Sequence, residues 1–159
     1  AASYFVSGAV RDHYFSLGGS AGPLGYPMGA ASCADGACQQ EFEYGWILTG
    51  RNAAPRVGAP AIDSAYAAAG GPDGVLGARS GTLLHYTSNG GGFAEAFAGG
   101  AIFYKKSVGM AFSVTGSVRA AYFAAGGAAG VYGWPTSAMT CTDGMCAQTF
   151  EGGVVSVAQ

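Results

Sequence analysis

The sequence predicts an α+β fold made of three tandem copies of one short unit, each a helix followed by a small antiparallel meander. One observation is a ten-residue phrase, GGSAGPLGYP at residues 18–27, which returns as GGAAGVYGWP at 126–135. A third, altered version, GGPDGVLGAR, occupies residues 70–79. The other observation is that helix signals precede each phrase and strand signals follow it. Self-similarity at a fixed period indicates a repeat architecture, so we place copies of about 53 residues at roughly 1–52, 53–109 and 110–159 of a single domain, residues 1–159.

Each copy opens with signals for a short helix. Ser7, Ala59 and Thr115 fall at the position before the helix, where a hydroxyl can accept a hydrogen bond from a free backbone N–H. Pro60 falls at the first helical position, which proline tolerates. Apolar side chains recur at helical spacing, and they include three tyrosines predicted to lie in the core: Tyr14, Tyr66 and Tyr122. A glycine suited to a left-handed cap follows each helix, namely Gly18, Gly70 and Gly126, so the first helix is predicted over residues 8–17.

A hairpin signal follows the repeated phrase in the first and last copies. Asp-Gly lies between short flanks in CADGAC at residues 33–38 and in CTDGMC at 141–146, and this dipeptide favours a two-residue turn. In such a hairpin the two cysteines of a copy face each other. A second strand, a turn at Gly45 and a third strand beginning at Trp46 complete the predicted meander.

The four cysteines allow two interpretations. Pairing within each hairpin gives two local disulfides, Cys33–Cys38 and Cys141–Cys146. The middle copy has His85 and Phe93 at these positions, so it lacks both cysteines at once, as pairing within a copy requires. The alternative is a four-thiolate zinc site, although its usual ligand spacing is shorter and the two pairs lie on separate copies. Disulfides predict an oxidising compartment and therefore a secreted protein.

Composition excludes several partners. The formal net charge is −2 and 10% of the residues are charged, so no basic surface indicates nucleic acid or an anionic membrane surface. Residues 120–142 carry no charge but contain several glycines and a proline, which favours a small-residue soluble segment over a membrane span. The start, AASYFV, shows no signal peptide and is taken as a mature N-terminus or a boundary within a longer chain.

At these motifs the chain resembles the LGFP repeat family. The hallmark is Gly-Gly, then Leu-Gly-aromatic-Pro, then Phe-x-x-Gly-x-Ile, met here by Gly18-Gly19, Leu24-Gly25-Tyr26-Pro27 and Phe42-x-x-Gly45-x-Ile47. The last copy has Gly126-Gly127, Tyr132-Gly133-Trp134-Pro135 and Phe150-x-x-Gly153-x-Val155. The middle copy departs from the pattern, with Ala78-Arg79 in place of aromatic-Pro.

The resemblance implies a role and an arrangement. LGFP repeats occur in secreted actinobacterial proteins, often joined to mycolyltransferases or wall hydrolases, and are thought to attach them to arabinogalactan or a related wall glycan. It implies a non-catalytic module without cofactor or metal, bound to wall polysaccharide or peptidoglycan and accompanied by a fused or associated wall enzyme. Because one copy is too small to bury its apolar face, we expect the copies to pack in a pseudo-symmetric ring, each meander against its neighbour's helix.

Aromatic residues are the candidate glycan ligands, because a ring buries the apolar face of a sugar while polar neighbours bind its hydroxyls. Tyr26 and Trp134 before the prolines, and Tyr44 and Trp46 on one predicted strand face, are the candidates; for each the alternative is core packing. Candidate polar partners at the helix starts are Arg11, Asp12 and Arg119, which could instead be solvated charges.

Catalysis is the less favoured alternative. Neither His13 nor His85 has a counterpart in the other copies, and no nucleophile motif accompanies them. Glu41 and Glu43 lie two apart on a predicted strand and could form a glycosidase pair, although solvated acids have the same spacing. We therefore predict a non-enzymatic polysaccharide-binding module, with a secreted protein-interaction or inhibitor module and a wall-glycan hydrolase as alternatives.

Overall fold

The computed structural model describes residues 2–159 and confirms an α+β protein with three helices and three small antiparallel sheets. The chain divides into two compact units, the first ending at Pro60 and the second running from Ala61 to Gln159. Each helix is nine residues long, and no helix in the described part is long and apolar enough to cross a membrane.

The first unit packs one helix on one four-stranded sheet. Helix α1 (Gly8–Ser16) precedes strands β1 (Ser32–Ala34), β2 (Ala37–Glu41), β3 (Trp46–Gly50) and β4 (Ala53–Gly58). The strands are neighbours in chain order, β1-β2-β3-β4. The helix buries its apolar stripe, Val10 and Tyr14, while the phrase and the sheet contribute Leu24, Phe42 and Ile47 to the core.

The second unit contains two sheets. Helix α2 (Pro60–Ala68) begins at the unit boundary, and strands β5 (Leu84–Tyr86), β6 (Gly92–Phe97), β7 (Gly100–Lys105) and β8 (Met110–Thr115) form a sheet in that order. Helix α3 (Gly116–Ala124) is followed by β9 (Thr140–Thr142), β10 (Met145–Phe150) and β11 (Gly153–Ala158), ordered β11-β10-β9. Because α3 contacts β7 and β8 as well as β10 and β11, it joins the two sheets through one core.

The predicted helix ends are largely confirmed. Pro60 is the first residue of α2, and the glycine after each helix is left-handed, with φ of +98° at Gly18, +92° at Gly70 and +97° at Gly126. This conformation strains any residue with a Cβ. The predicted caps are wrong in one respect, because neither Ser7 nor Thr115 makes a side-chain capping bond.

In each copy one hydrogen bond holds the glycine-rich phrase against the preceding helix. The hydroxyls of Tyr14, Tyr66 and Tyr122 donate to the carbonyls of Gly25, Gly77 and Gly133 at 2.7, 2.8 and 2.6 Å. The same three rings stack on Phe42, Phe97 and Phe150 at 4.6, 4.6 and 4.4 Å. Tyr14 and Tyr122 are buried, as predicted for the core, and Tyr66 is half-buried. Each Tyr therefore fixes its phrase against its own helix and meander.

The hairpins and their disulfides are also confirmed. Cys33 pairs with Cys38 across β1 and β2, and Cys141 with Cys146 across β9 and β10. Asp35 and Asp143 both have φ of +50° and are followed by left-handed glycines, the geometry of a type I′ turn. Because all four sulfurs are bonded in disulfides, no thiolate is available as a zinc ligand, and the four-thiolate zinc interpretation is wrong.

The end of the meander differs from the prediction. Tyr44 lies in the turn before β3, so it does not share a strand face with Trp46, with which the strand begins. The first two sheets also gain a fourth strand, β4 and β8, that was not predicted. The β4 sequence AAPRVG has no apolar alternation, which is the signal that identifies a half-buried strand.

Candidate functional site

A groove of about 600 Å³ lies on the first unit. Its walls are residues 2–6, the exposed flank of α1 at Phe15, the turn after α1 at Ser20, and Tyr26-Pro27 at the end of the phrase. Buried Tyr14 forms its floor. In the described part of the chain, no residue lining the groove carries a formal charge.

Four aromatic side chains around this groove are open to solvent. The exposed fractions are 40% for Tyr4, 92% for Phe5, 65% for Phe15 and 62% for Tyr26. Only Tyr26 was predicted from the sequence. Phe15 carries a usable signal, because it lies off the helical stripe that contains Val10 and Tyr14; Tyr4 and Phe5 precede every recognisable element and give none.

The position of Tyr26 is fixed by its backbone. Its N–H donates to Oε2 of Glu43 at 3.0 Å, and its carbonyl accepts the N–H of Glu43 at 2.9 Å. Glu43 lies in the turn after β2, whereas Glu41 is within β2, so the predicted carboxylate pair on one strand face is wrong. Burial, with the nearby Tyr26 and Glu43, raises the pKa of the Tyr14 hydroxyl on the groove floor.

A buried glutamine fixes the N-terminal wall. The side-chain N–H groups of Gln40 donate to the carbonyls of Phe5 and Gly29 at 3.0 and 2.8 Å. In the second unit Gln148 donates in the same way to Ser113 of β8 and to Ser137. A glutamine side chain therefore bonds residues 2–6 to the first copy in the same way that another bonds β8 to the last copy.

Trp134 does not form an exposed stacking surface, and for this residue the packing alternative is correct. It is 1% exposed. Its indole N–H donates to the carbonyl of Asn89 at 3.0 Å, and its ring centroid lies 6.0 Å from that of Tyr86 and 6.4 Å from that of Phe103. The middle copy therefore covers this aromatic with its loop Ser88–Gly90 and with β7.

The two remaining aromatic candidates are half-buried. The Trp46 indole lies over Gly58, where a Cβ would come within 2.1 Å of its Cζ2 atom, so packing occupies one face of this ring. The backbone N–H of Tyr44 donates to Leu24, which places this residue in the turn that supports the phrase.

The predicted polar partners belong to different units, with Arg11 and Asp12 on α1 of the first and Arg119 on α3 of the second. Arg11 and Asp12 pair with each other at 2.8 Å on α1, with side chains 56% and 68% exposed, as expected of solvated charges.

Arg119 is half-buried on α3, with its guanidinium 5.4 Å from the Phe123 ring centre. It lines a separate cleft of about 130 Å³ with Glu95 and Phe103, and its buried Nε has no hydrogen-bond partner within residues 2–159. Within those residues, no cluster of three or more potential metal ligands is found.

The fold is that of a small disulfide-bonded α+β module with three helices and three small antiparallel sheets. Residues 84–130 match the family model of the LGFP repeat, which confirms over that segment the resemblance seen in the sequence. No curated protein matches the chain. The match indicates a cell-wall-associated repeat module, and with the disulfides it is consistent with an extracellular protein.

The matched segment spans parts of two predicted copies. It begins with β5 and ends in the turn after α3, so it combines the meander of the middle copy with the helix of the last. These parts pack together, with the Phe103 ring 5.3 Å from that of Tyr122 and Asn89 hydrogen-bonded to Ala128. The boundaries at about 52 and 109 remain a prediction.

Proposed function

We propose that this chain is a non-catalytic module that attaches to cell-wall polysaccharide through the groove at Tyr26. The observation that carries the proposal is the convergence of Tyr4, Phe5, Phe15 and Tyr26, all solvent-exposed, on one uncharged groove. Exposed apolar clusters of this kind mark binding sites. The volume of about 600 Å³ lies within the common range for ligand sites.

The chemistry of the groove suits a neutral glycan. The aromatic faces can cover the apolar faces of sugar rings, and the hydroxyls of Tyr4, Ser20 and Tyr26 can exchange hydrogen bonds with sugar hydroxyls. The absence of formal charge among the described lining residues favours arabinogalactan-like polymers over strongly anionic ones. We propose a secreted protein that holds itself, or an attached wall enzyme, on the wall.

The proposal includes the pseudo-symmetric ring of copies. The tyrosine-to-glycine hydrogen bond found in each copy supports their equivalence. The packing of β7 and the Ser88–Gly90 loop on the helix and phrase of the last copy supports a regular contact between successive copies.

The test is pelleting with actinobacterial wall. We expect the chain to pellet with intact wall, to remain in solution with wall stripped of arabinogalactan, and to be released by soluble arabinan fragments. Replacing Tyr26 or Phe15 by Ala should weaken retention about tenfold, equal to about 1.4 kcal/mol. Phe123→Ala is the matched control, because Phe123 occupies the position of Phe15 on another helix and is 44% exposed.

The alternatives predict different results. Retention on a protein column without any wall retention would favour the protein-interaction module. Release of reducing ends from wall polysaccharide, lost in Glu41→Gln and Glu43→Gln, would favour the hydrolase. Full retention of both Tyr26→Ala and Phe15→Ala would exclude the groove as the glycan site.

A further inference from the structure

The cleft that Arg119 lines lies within the second unit, between helix α3 and the sheet β5-β6-β7-β8. Its volume is about 130 Å³. The sheet contributes small and aromatic side chains and the helix contributes a cation and an aromatic ring, from Ala94, Ala96, Ala101, Phe103, Arg119 and Phe123. Leu84 and Phe123 line the cleft and are 50% and 44% exposed, so it opens to solvent. We call it the Arg119 cleft.

Small side chains of the middle copy make room for this cleft. Ala96 is paired with Ala101 across β6 and β7, and paired residues lie on the same face of a sheet. At the corresponding positions of the first copy, Glu41 is paired with Trp46. The middle copy therefore has two methyl groups where the first has two large side chains, which leaves a space against α3.

Arg119 brings a positive charge to the cleft without an acidic partner. None of the ion pairs found between residues 2 and 159 includes it, and its buried Nε has no hydrogen-bond partner among those residues. The Phe123 ring, 5.4 Å away, attracts the cation but carries no negative charge. Because an unpaired buried N–H costs free energy, an anionic acceptor bound at this nitrogen would be stabilised.

Glu95 also lines the cleft, but its carboxylate belongs to the other face of the sheet. It lies between Ala94 and Ala96 on β6, so its side chain points away from theirs. There it accepts a hydrogen bond from Arg79 at 2.5 Å and is 6% exposed. The backbone of Glu95 therefore borders the cleft, and its charge is paired elsewhere.

The walls of the cleft select the kind of anion. A guanidinium binds a carboxylate through two parallel N–H bonds. Alanine methyl groups and phenyl rings cannot donate to further oxygens, which disfavours a phosphate with its larger charge and additional acceptors. The volume of about 130 Å³ is below the common range for drug-sized ligands, so it suits a short apolar chain.

We propose that the Arg119 cleft binds a small monocarboxylate, with the carboxylate on the Arg119 guanidinium and the short apolar chain against Ala96 and Ala101. A free short-chain acid has this chemistry, and so does the C-terminus of a peptide that ends in alanine. The site lies in the second unit and the Tyr26 groove in the first, so this inference goes beyond polysaccharide attachment and does not depend on it.

Titration with propionate tests the binding directly. The readout is the NMR signal of the Arg119 Nε–H group, identified by its loss in Arg119→Lys, and propionamide at equal ionic strength is the neutral control. We expect a saturable shift with propionate, with a dissociation constant of about 1–10 mM for so few contacts, and none with propionamide. Equal binding of propionamide, tighter binding of inorganic phosphate, or no shift with propionate would overturn the proposal.

Variants at the cation test its role, with affinity measured by calorimetry. Arg119→Met keeps an apolar stem beside Phe123 and should abolish binding, and Arg119→Lys should weaken it about tenfold because an ammonium cannot form the two parallel bonds. Arg11→Met is the matched control, since Arg11 has the same position on α1 and pairs with Asp12. Unchanged affinity in Arg119→Met would overturn the proposal.

A variant of the sheet wall tests the cleft and leaves Arg119 in place. Ala96 is half-buried, so Ala96→Leu should fill the space and weaken propionate binding at least tenfold, while circular dichroism verifies the fold. The matched control is Thr149→Leu, at the corresponding exposed position of the last copy, which should bind like the parent. Full affinity in Ala96→Leu would overturn the proposal.

Two probes distinguish the sources of the carboxylate. Binding of N-acetylalanylalanine about tenfold tighter than that of propionate would support the cleft as a site for a peptide C-terminus. Equal affinity for the two would support it as a site for a free acid. Exclusion of both probes would overturn the proposal.

Discussion

Single residues adapt the middle copy to the loss of its aromatic-Pro pair. Arg79 stands where the other copies have Pro27 and Pro135, as the shared bridges to the phenylalanines show. Its guanidinium donates to Glu95 and Asp63, both at 2.5 Å, and lies 4.8 Å from the Tyr66 ring centre. Burial lowers the pKa of Arg79, but the hydrogen bonds and charges of the two acids outweigh it and raise the pKa above its usual value.

This network is predicted to stabilise the second unit through Glu95. The side chain of Glu95 is 6% exposed, so Arg79→Met leaves a buried carboxylate without its partner. We expect the free energy of unfolding to fall by about 3 kcal/mol, measured by urea denaturation. The double variant Arg79→Met/Glu95→Gln should recover most of the loss, because glutamine occupies the equivalent positions 40 and 148. A single variant as stable as the parent would contradict this account.

Among the secondary-structure elements, the hairpin loop of the middle copy determines whether Trp134 is buried or exposed. The middle hairpin is three residues longer between positions 85 and 93 than between the paired cysteines of the other copies. Its Asn89 donates to the carbonyls of Ala128 and Gly130 at 2.8 and 3.3 Å. Gly92 permits the close approach, since a Cβ there would come within 2.6 Å of the Trp134 ring.

Asn89→Asp should therefore open this contact. A carboxylate tolerates the same backbone conformation, as Asp143 shows with its φ of +50°, but it cannot donate to two carbonyls. We expect a loss of about 2 kcal/mol in stability and a red shift of Trp134 fluorescence as water reaches the indole. Asp143→Asn is the control and should change neither quantity; equal effects of both variants would assign them to the turns themselves.

At the scale of the whole molecule, charge is scarce. Seven basic and nine acidic residues in 159 leave a net charge of −2, and the ion pairs of Arg79 and of Lys105 with Glu151 belong to the second unit, whereas the groove is on the first. Attachment to a wall through an uncharged aromatic groove should then depend on stacking and hydrogen bonds rather than on long-range attraction.

Wall retention is accordingly predicted to be insensitive to salt. Raising the ionic strength from about 0.05 to 0.5 M shortens the Debye length several-fold, yet pelleting should change by less than about twofold. The Arg11→Ala/Asp12→Ala variant should behave like the parent, because that exposed pair does not line the groove within the described chain. Loss of retention at high salt would indicate an electrostatic site elsewhere.

Local structure could be predicted from the amino-acid sequence alone. Proline at the start of a helix, glycine after it and Asp-Gly between cysteines act through neighbouring backbone, so Pro60, Gly18 and both disulfide hairpins were predicted correctly. The repeated Tyr14 and Tyr122 were predicted as core because helical spacing fixes which face they share.

Long-range packing determines which aromatic side chains are available to a ligand. Tyr26 and Trp134 stand in nearly the same phrase, and each backbone N–H is bonded to a glutamate, Glu43 or Glu151. Tyr26 is nonetheless 62% exposed and Trp134 is 1% exposed. The difference comes from Phe103 and Asn89, which are distant in sequence and cover only Trp134. The burial of a residue depends on which side chains pack against it, and these cannot be predicted from the neighbouring sequence alone.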